Sequence, residues 1–382
     1  MVSIPTKLRE DMNMEIKGPQ DLEKEVIKND LCALCGACLG LCPYFRAYRG
    51  RIVLTDSCNL SQGRCYAFCP RTPTDLEALS REIFGRPYSL DPLGEHRRVV
   101  LARSKDKTLL AKAQYGGLAS ALVAIALKKK GIDGAVLTRR EKNLLSTGQV
   151  ATTRTQILAC AGSNYIASPT LQAFNRSAEE PYKSLAAVGT PCQVLALAKM
   201  RMNPLENKNR IEKLTLTIGL FCTWALSYRE MFDFLKKEFP VGKIGRMDIP
   251  PPPANVFQVK LPDGLKFVSL DQVRKFIRPT CSVCLDLTAE FSDLSIGAAE
   301  GIPGWNTVIV RTKKGEELIE EAWKGKGIQV RGIPETNLAH LQEAALLKKK
   351  RALENIVKKT GKREDLLYLR GSEALLSLFP GE

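Results

Sequence analysis

Leu185-Ala186-Ala187-Val188-Gly189-Thr190-Pro191-Cys192 is a short apolar strand running into a turn, and a helix follows. A buried strand that hands over directly to a helix is the building unit of α/β sheets. Similar units lie on both sides. Val99–Ala102 reads as a strand, Gly117–Lys130 as a helix ended by Gly131, and Gly134–Thr138 as the next strand. That order predicts a parallel βαβ unit. Leu214–Phe221 is a strand that stops at Cys222. Val256–Leu261 and Leu265–Leu270, joined by Pro262-Asp263-Gly264, form a hairpin. Thr307–Val310 is a further strand. Leu338, Leu341, Ala345, Ala352, Leu353, Ile356 and Val357 give a helical apolar stripe, read as core packing. The fold class is therefore α/β, with α+β character.

The chain has 382 residues, 44% of them hydrophobic, which is too long for one small domain. Two domains are expected: residues 1–90, with residues 73–97 as a proline-punctuated linker, and residues 91–382, closing on the C-terminal helix. Residues 1–30 read as a polar arm or short helix.

The first domain is decided by its cysteines. Cys32, Cys35, Cys38 and Cys42 read C-x2-C-x2-C-x3-C and are followed by Pro43. This is the iron–sulphur spacing of bacterial-type ferredoxins, so a ferredoxin-like iron–sulphur domain is expected. Cys58, Cys65, Cys69 and Pro70 form a second, imperfect run. In two-cluster ferredoxins the last cysteine of a run serves the other cluster. Cys32, Cys35, Cys38 and Cys69 would then hold one [4Fe-4S] cluster. Cys42, Cys58 and Cys65 leave three thiols for a second, which is a three-iron form, takes a non-cysteine ligand, or is absent. A further set is Cys192, Cys222, Cys281 and Cys284. Cys192 and Cys222 follow strand ends, where α/β sheets place their sites, and Cys192 opens a helix whose dipole favours thiolate. Two to three clusters are expected in all. Cys160 stands alone and reads as a small buried residue.

Other classes are disfavoured. Met1–Gln20 is charged and lacks an apolar export segment, so a reducing, cytoplasmic setting is expected, in which clustered cysteines bind metal rather than form disulphides. Zinc competes, but only two histidines are present (His96 and His340) and neither neighbours a cysteine run. The longest apolar run, Leu118–Leu127, is short of the about 18 residues a membrane span needs. The net charge of +16 suits an acidic partner or an anionic cofactor. The basic residues are scattered, without the clustering of a nucleic-acid reader. Gly116-Gly117 before a helix, with Ser120, suits a phosphate at a helix N-terminus, and Ala161-Gly162-Ser163-Asn164-Tyr165 suits a loop lining a flavin; both also read as plain turns.

Several stretches together resemble the beta subunits of coenzyme F-420 hydrogenases and dehydrogenases. They are Ala102–Asp106, Gly116-Gly117, Gly131–Val136, Ala161–Tyr165 with Ser168-Pro169, Val188–Gln193, Ile218–Cys222, Cys281–Cys284 with Asp286, and Asp293–Gly297 through Gly304–Thr307 to Arg311-Thr312. The resemblance spans roughly residues 98–360 and implies a mixed-sheet FAD-binding domain. Tyr115, Gly116, Gly117, Ser120, Gly162, Ser163, Asn164, Tyr165, Thr190 and Pro191 are the implied flavin contacts. It implies an oxidoreductase in which FAD exchanges hydride with the deazaflavin and feeds the cluster of Cys192, Cys222, Cys281 and Cys284. The N-terminal clusters would wire that cluster to a larger redox complex of hydrogenase, formate dehydrogenase or heterodisulphide reductase type. Two positions depart from the family's usual residues: Tyr115 replaces an acid and Asn164 a lysine. The alternatives are a wiring subunit without hydride chemistry, or a member with another donor or acceptor.

Overall fold

The computed structural model describes residues 15–177, 180–202, 205, 210–250, 254–370 and 373–378. The first fourteen residues of the expected arm lie outside the described residues; Pro19–Ile27 is helical.

An eight-stranded sheet forms the centre of the molecule. In chain order its strands are β1 (Arg98–Ser104), β2 (Gly134–Arg140), β3 (Ser146–Ala151), β4 (Leu185–Gly189), β5 (Leu214–Leu220), β6 (Leu294–Ala298), β7 (Asn306–Val310) and β8 (Ile328–Gly332). They lie side by side as β8-β1-β7-β6-β5-β4-β2-β3. The four strands from β6 to β2 pair in parallel; the other pairings are antiparallel. The β-branched run of β7 is buried along its whole length, as a central strand covered on both faces should be.

The predicted βαβ unit is present, but its two strands are not neighbours. β1 and β2 point the same way with β7, β6, β5 and β4 between them. The reason is competition: both edges of β1 are taken by β7 and β8, which come from the far end of the chain. The predicted linker also differs. Nine of its residues form α1 (Leu76–Phe84), capped by the Asp75 carboxylate at the Ala78 amide, 2.9 Å away, and closed by Gly85 at φ 69°. Flanking prolines mark breaks, but the stretch between them is proline-free and amphipathic.

α2 (Leu118–Lys128) packs on the sheet, and α3 (Pro191–Arg201) leaves β4 through a capping box of Thr190 and Gln193. The predicted hairpin forms as Val256–Leu261 and Gly264–Ser269, joined by Arg246–Asp248 into a separate three-stranded sheet. The long helix α4 (Glu335–Thr360) buries Ala345, Ala352, Leu353 and Ile356 of the expected stripe, together with Lys348 and Lys349.

The cysteine-rich segment does not stand apart. Leu22, Leu34, Phe45 and Leu76 share one core with Val194, Leu353, Ile356 and Tyr368. Thr74–Asp75 pairs in parallel with Leu369–Arg370, and the Thr74 amide donates to the Tyr368 carbonyl at 2.7 Å.

Candidate functional site

The twelve cysteines are all free thiols, and eleven of them stand in three groups. Cys32, Cys35, Cys38 and Cys69 line one cavity with Leu22, Val26 and Ile52. Their loop turns through Leu34 (φ 56°) and Gly36 (φ 89°); a side chain at Gly36 would meet the Pro169 carbonyl at 2.5 Å. Burial, then neighbouring thiols, push the Cys35 and Cys38 thiols well above their ordinary range, and burial raises Cys69 to about 11 against the pull of Lys199. Cys42 and Cys58 flank Cys65, whose thiol burial raises to about 12.

The third group gathers at the edge where β4 and β5 end. Cys192 is the second residue of α3, and Thr190 Oγ1 lies 3.3 Å from its Sγ. Cys222 follows β5. Cys281 and Cys284 come from the turn Pro279–Val283 and the residue after it, and Cys281 Sγ accepts the Ala225 amide at 3.3 Å. Cys192, Cys222 and Cys281 each feel the charge of others in the group. Burial raises Cys192, Cys222 and Cys281. At Cys284 burial is outweighed by Lys348 and Arg71, and the thiol lies below its ordinary value.

The groups are contiguous. Cys35 feels Cys192, and Cys38 feels Cys65, so the first group lies between the other two. Three buried basic side chains line the row, and burial lowers the Lys199 ammonium to about 7 against the pull of Cys69 and Cys35. Lys199 Nζ reaches the carbonyls of Cys69 (2.8 Å) and Pro73 (2.9 Å) and the Thr72 hydroxyl (2.8 Å). Lys348 Nζ donates to the carbonyls of Cys222 (2.5 Å) and Asp286 (2.7 Å). Arg71 stands between the first and third groups. Among the described residues none of the three forms an ion pair with a carboxylate.

No three His, Cys, Asp or Glu side chains among the described residues converge as a single-ion site. A cubane cluster asks for a different arrangement: its thiolates sit at the corners of a body, not around one point. Four unpaired thiols around one cavity, backed by cations that lack carboxylates, are a donor set of that kind. Cys160 lies outside the groups, half-buried, with burial raising its thiol to about 11.

The implied flavin residues gather mostly in another place. Gly116 and Gly117 lead into α2 over the ends of β1 and β7; the Leu118 amide donates to Asn306 Oδ1 at 3.2 Å, and a side chain at Gly116 would meet that oxygen at 2.7 Å. Ser120 is half-buried in the first turn. Gln114 ties this loop to the second one: its Nε2 donates to Tyr165 Oη at 2.7 Å and to Asp248, and its Oε1 accepts from Ser163 Oγ. The hydroxyls of Tyr115 and Tyr165 are raised, first by burial and then by Asp248. Gly162 turns at φ 114°. Asn164 Nδ2 donates to Ser146 Oγ (2.8 Å) and the Ile166 carbonyl (2.9 Å), while its Oδ1 is buried without a partner. Thr190 and Pro191 lie instead with the third cysteine group.

The family description "Coenzyme F420 hydrogenase/dehydrogenase, beta subunit N-term" matches residues 99–175, and its C-terminus counterpart matches residues 182–336. The chain belongs to this family. It is 30% identical to the coenzyme F420 hydrogenase subunit beta of Methanococcus voltae, over 70% of this chain and 96% of that protein. It is 31% identical to a subunit of the F(420)H(2) dehydrogenase of Methanosarcina mazei, over 78% of this chain and 83% of that protein. A chain of the F420-reducing [NiFe] hydrogenase complex from Methanosarcina barkeri superimposes with TM-score 0.66 at 30% identity, over 71% and 95%. These relatives are oxidoreductase subunits of larger complexes, and this chain is an oxidoreductase of the same beta-subunit type. The matched segments hold the third cysteine group; the first two lie ahead of them. No described helix is long and apolar enough to cross a membrane.

Sequence reading missed Arg71, Lys199, Lys348, Gln114 and Asp248. Arg71 carries a local signal, since it directly follows Cys69-Pro70. Lys348 and Lys349 sit in a run of three lysines, yet both face inward.

Proposed function

We propose that this chain is the flavin and iron–sulphur input subunit of a larger cytoplasmic redox complex, passing electrons between reduced coenzyme F420 and a partner of hydrogenase, formate dehydrogenase or heterodisulphide reductase type. The carrying observation is the contiguous row of three cysteine groups starting at the sheet edge. FAD, when bound, would exchange hydride with the deazaflavin and release electrons singly. Tyr115, Gly116, Gly117, Ser120 and the Gly162–Tyr165 loop would hold it, with Asn164 Oδ1 as a free acceptor. Thr190 and Pro191 would position Cys192 beside it. Cys192, Cys222, Cys281 and Cys284 would hold the receiving [4Fe-4S] cluster. Cys32, Cys35, Cys38 and Cys69 would hold the next, and Cys42, Cys58 and Cys65 a third metal group of three-iron or mixed-ligand form. In this reading residues 1–90 are a ferredoxin-like wiring unit on a flavin domain of residues 91–382. The buried cations offset the negative charge of the thiolates.

A second reading is a wiring subunit without hydride chemistry. It is favoured by Asn164, whose amide is spent on Ser146 and Ile166, and by Tyr115, which offers no carboxylate. Anaerobic titration with reduced F420 separates the two. Bleaching of a flavin band followed by the iron–sulphur shoulder supports the input role. Iron without flavin, and no bleaching, supports wiring alone.

A further inference from the structure

Arg71 is 4% exposed, and its guanidinium is pinned on three sides. Nε donates to Thr280 Oγ1 at 2.9 Å, Nη1 donates to the Pro70 carbonyl at 3.1 Å, and the Tyr368 ring centroid lies 4.7 Å away. Thr280 in turn donates to the Leu31 carbonyl at 2.6 Å. Leu31 precedes Cys32, Thr280 precedes Cys281, and Pro70 follows Cys69. Arg71 thus knots together the backbones carrying the first and third cysteine groups. Its charge acts on Cys69 of the first group and on Cys192, Cys281 and Cys284 of the third.

A buried guanidinium keeps its proton and needs an anion. Among the described residues no carboxylate pairs with it, so metal-bound thiolates of the two groups would be its counter-charge. The other cations serve one group each: Lys199 acts on Cys69 of the first, and Lys348 on Cys222, Cys281 and Cys284 of the third. Arg71 alone of the three acts on both.

We propose that Arg71 is a shared electrostatic clamp that makes both groups easier to reduce and keeps their potentials matched. This rests on the reading that both groups hold iron–sulphur clusters. With clusters bound, the step it serves would take one electron from the cluster held by the third group and give it to the one held by the first. No bond breaks and no proton moves, because Arg71 stays charged throughout. Nearby positive charge stabilises the reduced form, and the effect is strong at short range in a dry interior. Arg71 is a positioning residue, since it neither carries the electron nor ligates the metal.

The test uses the full chain, purified anaerobically, with iron and sulphide assayed and each group's midpoint potential followed by EPR-monitored titration. Arg71→Gln should keep its iron and move both midpoints to more negative potential. Arg71→Lys has a point charge that cannot span both groups, so one midpoint should move and the other stay. Fully loaded Arg71→Gln with both midpoints unchanged would overturn the proposal. If that variant fails to fold or load, Arg71→Lys decides: two unchanged midpoints overturn it, and one shifted midpoint supports it. A parent chain without iron would instead sink the proposed function, and the clamp with it.

Discussion

Lys349 on α4 donates to the Glu290 carboxylate, and both side chains are almost wholly buried, at 1% and 3% exposure. Tyr88 Oη completes the cluster, 2.8 Å from Glu290 Oε2 and 3.2 Å from Lys349 Nζ. Removing one partner strands a charge in the interior. Lys349→Met should cost about 3–5 kcal/mol, and Lys349→Met with Glu290→Leu should recover much of the loss. Urea unfolding of the three proteins checks this; a cost below about 1 kcal/mol for the single variant would mean that the pair is not structural.

The same pair predicts a pH dependence. Burial raises the Glu290 carboxyl above its ordinary value even against the pull of Lys349. The folded chain therefore holds this proton to higher pH than the unfolded chain, whose value is about 4.3. The contribution is fully present below that value and is lost as pH rises through the folded one. Stability of the parent relative to Glu290→Gln should fall with rising pH across this window. A flat difference would contradict it.

Gly297 has Phe221 against its bare Cα: a methyl group there would stand 1.8 Å from the ring. Gly297→Ala must displace Phe221, and with it the adjacent Cys222. Overpacking of this kind costs about 1–3 kcal/mol. Iron should fall by the share of the third group, with the other two unaffected. Unchanged iron per chain would show that Cys222 tolerates the shift.

Cys281→Ser tests the third group directly. The variant should lose that group's iron and its transfer to a partner, yet keep its flavin. Full iron content together with intact partner reduction would show that Cys281 is not a ligand.

Gln114 binds the two loops proposed to hold flavin. Gln114→Ala removes its links to Tyr165, Ser163 and Asp248, so flavin content should drop while iron per chain stays constant. Equal flavin retention would separate this hub from the cofactor.

The parts legible in the sequence were those written in local chemistry. Cys32, Cys35 and Cys38 share a short loop, so their meeting needs only a turn. The strands of β4 and β5 show as apolar runs between breakers. Strand order was not legible, because the partners of β1 are β7 and β8, and no local pattern encodes that choice. The helix Leu76–Phe84 was hidden by its flanking prolines. Lys348 and Lys349 were hidden by their type: they continue the buried stripe from Ala345 to Ala352, but their partners (Cys222, Asp286 and Glu290) lie far back in the chain. Arg71 was hidden likewise, since its meaning depends on Thr280 and Tyr368.

The short parallel pairing of Thr74–Asp75 with Leu369–Arg370 has a consequence for biosynthesis. Chains emerge from the ribosome N-terminus first, and segments that fold alone do so as they appear. The cysteine loops emerge first, but their clasp, the Tyr368 ring over Arg71 and the α4 residues of their core are translated about 300 residues later. The nascent N-terminal segment therefore waits with its thiols uncovered until residues 335–370 have been made, and the metal insertion proposed for it would follow that point.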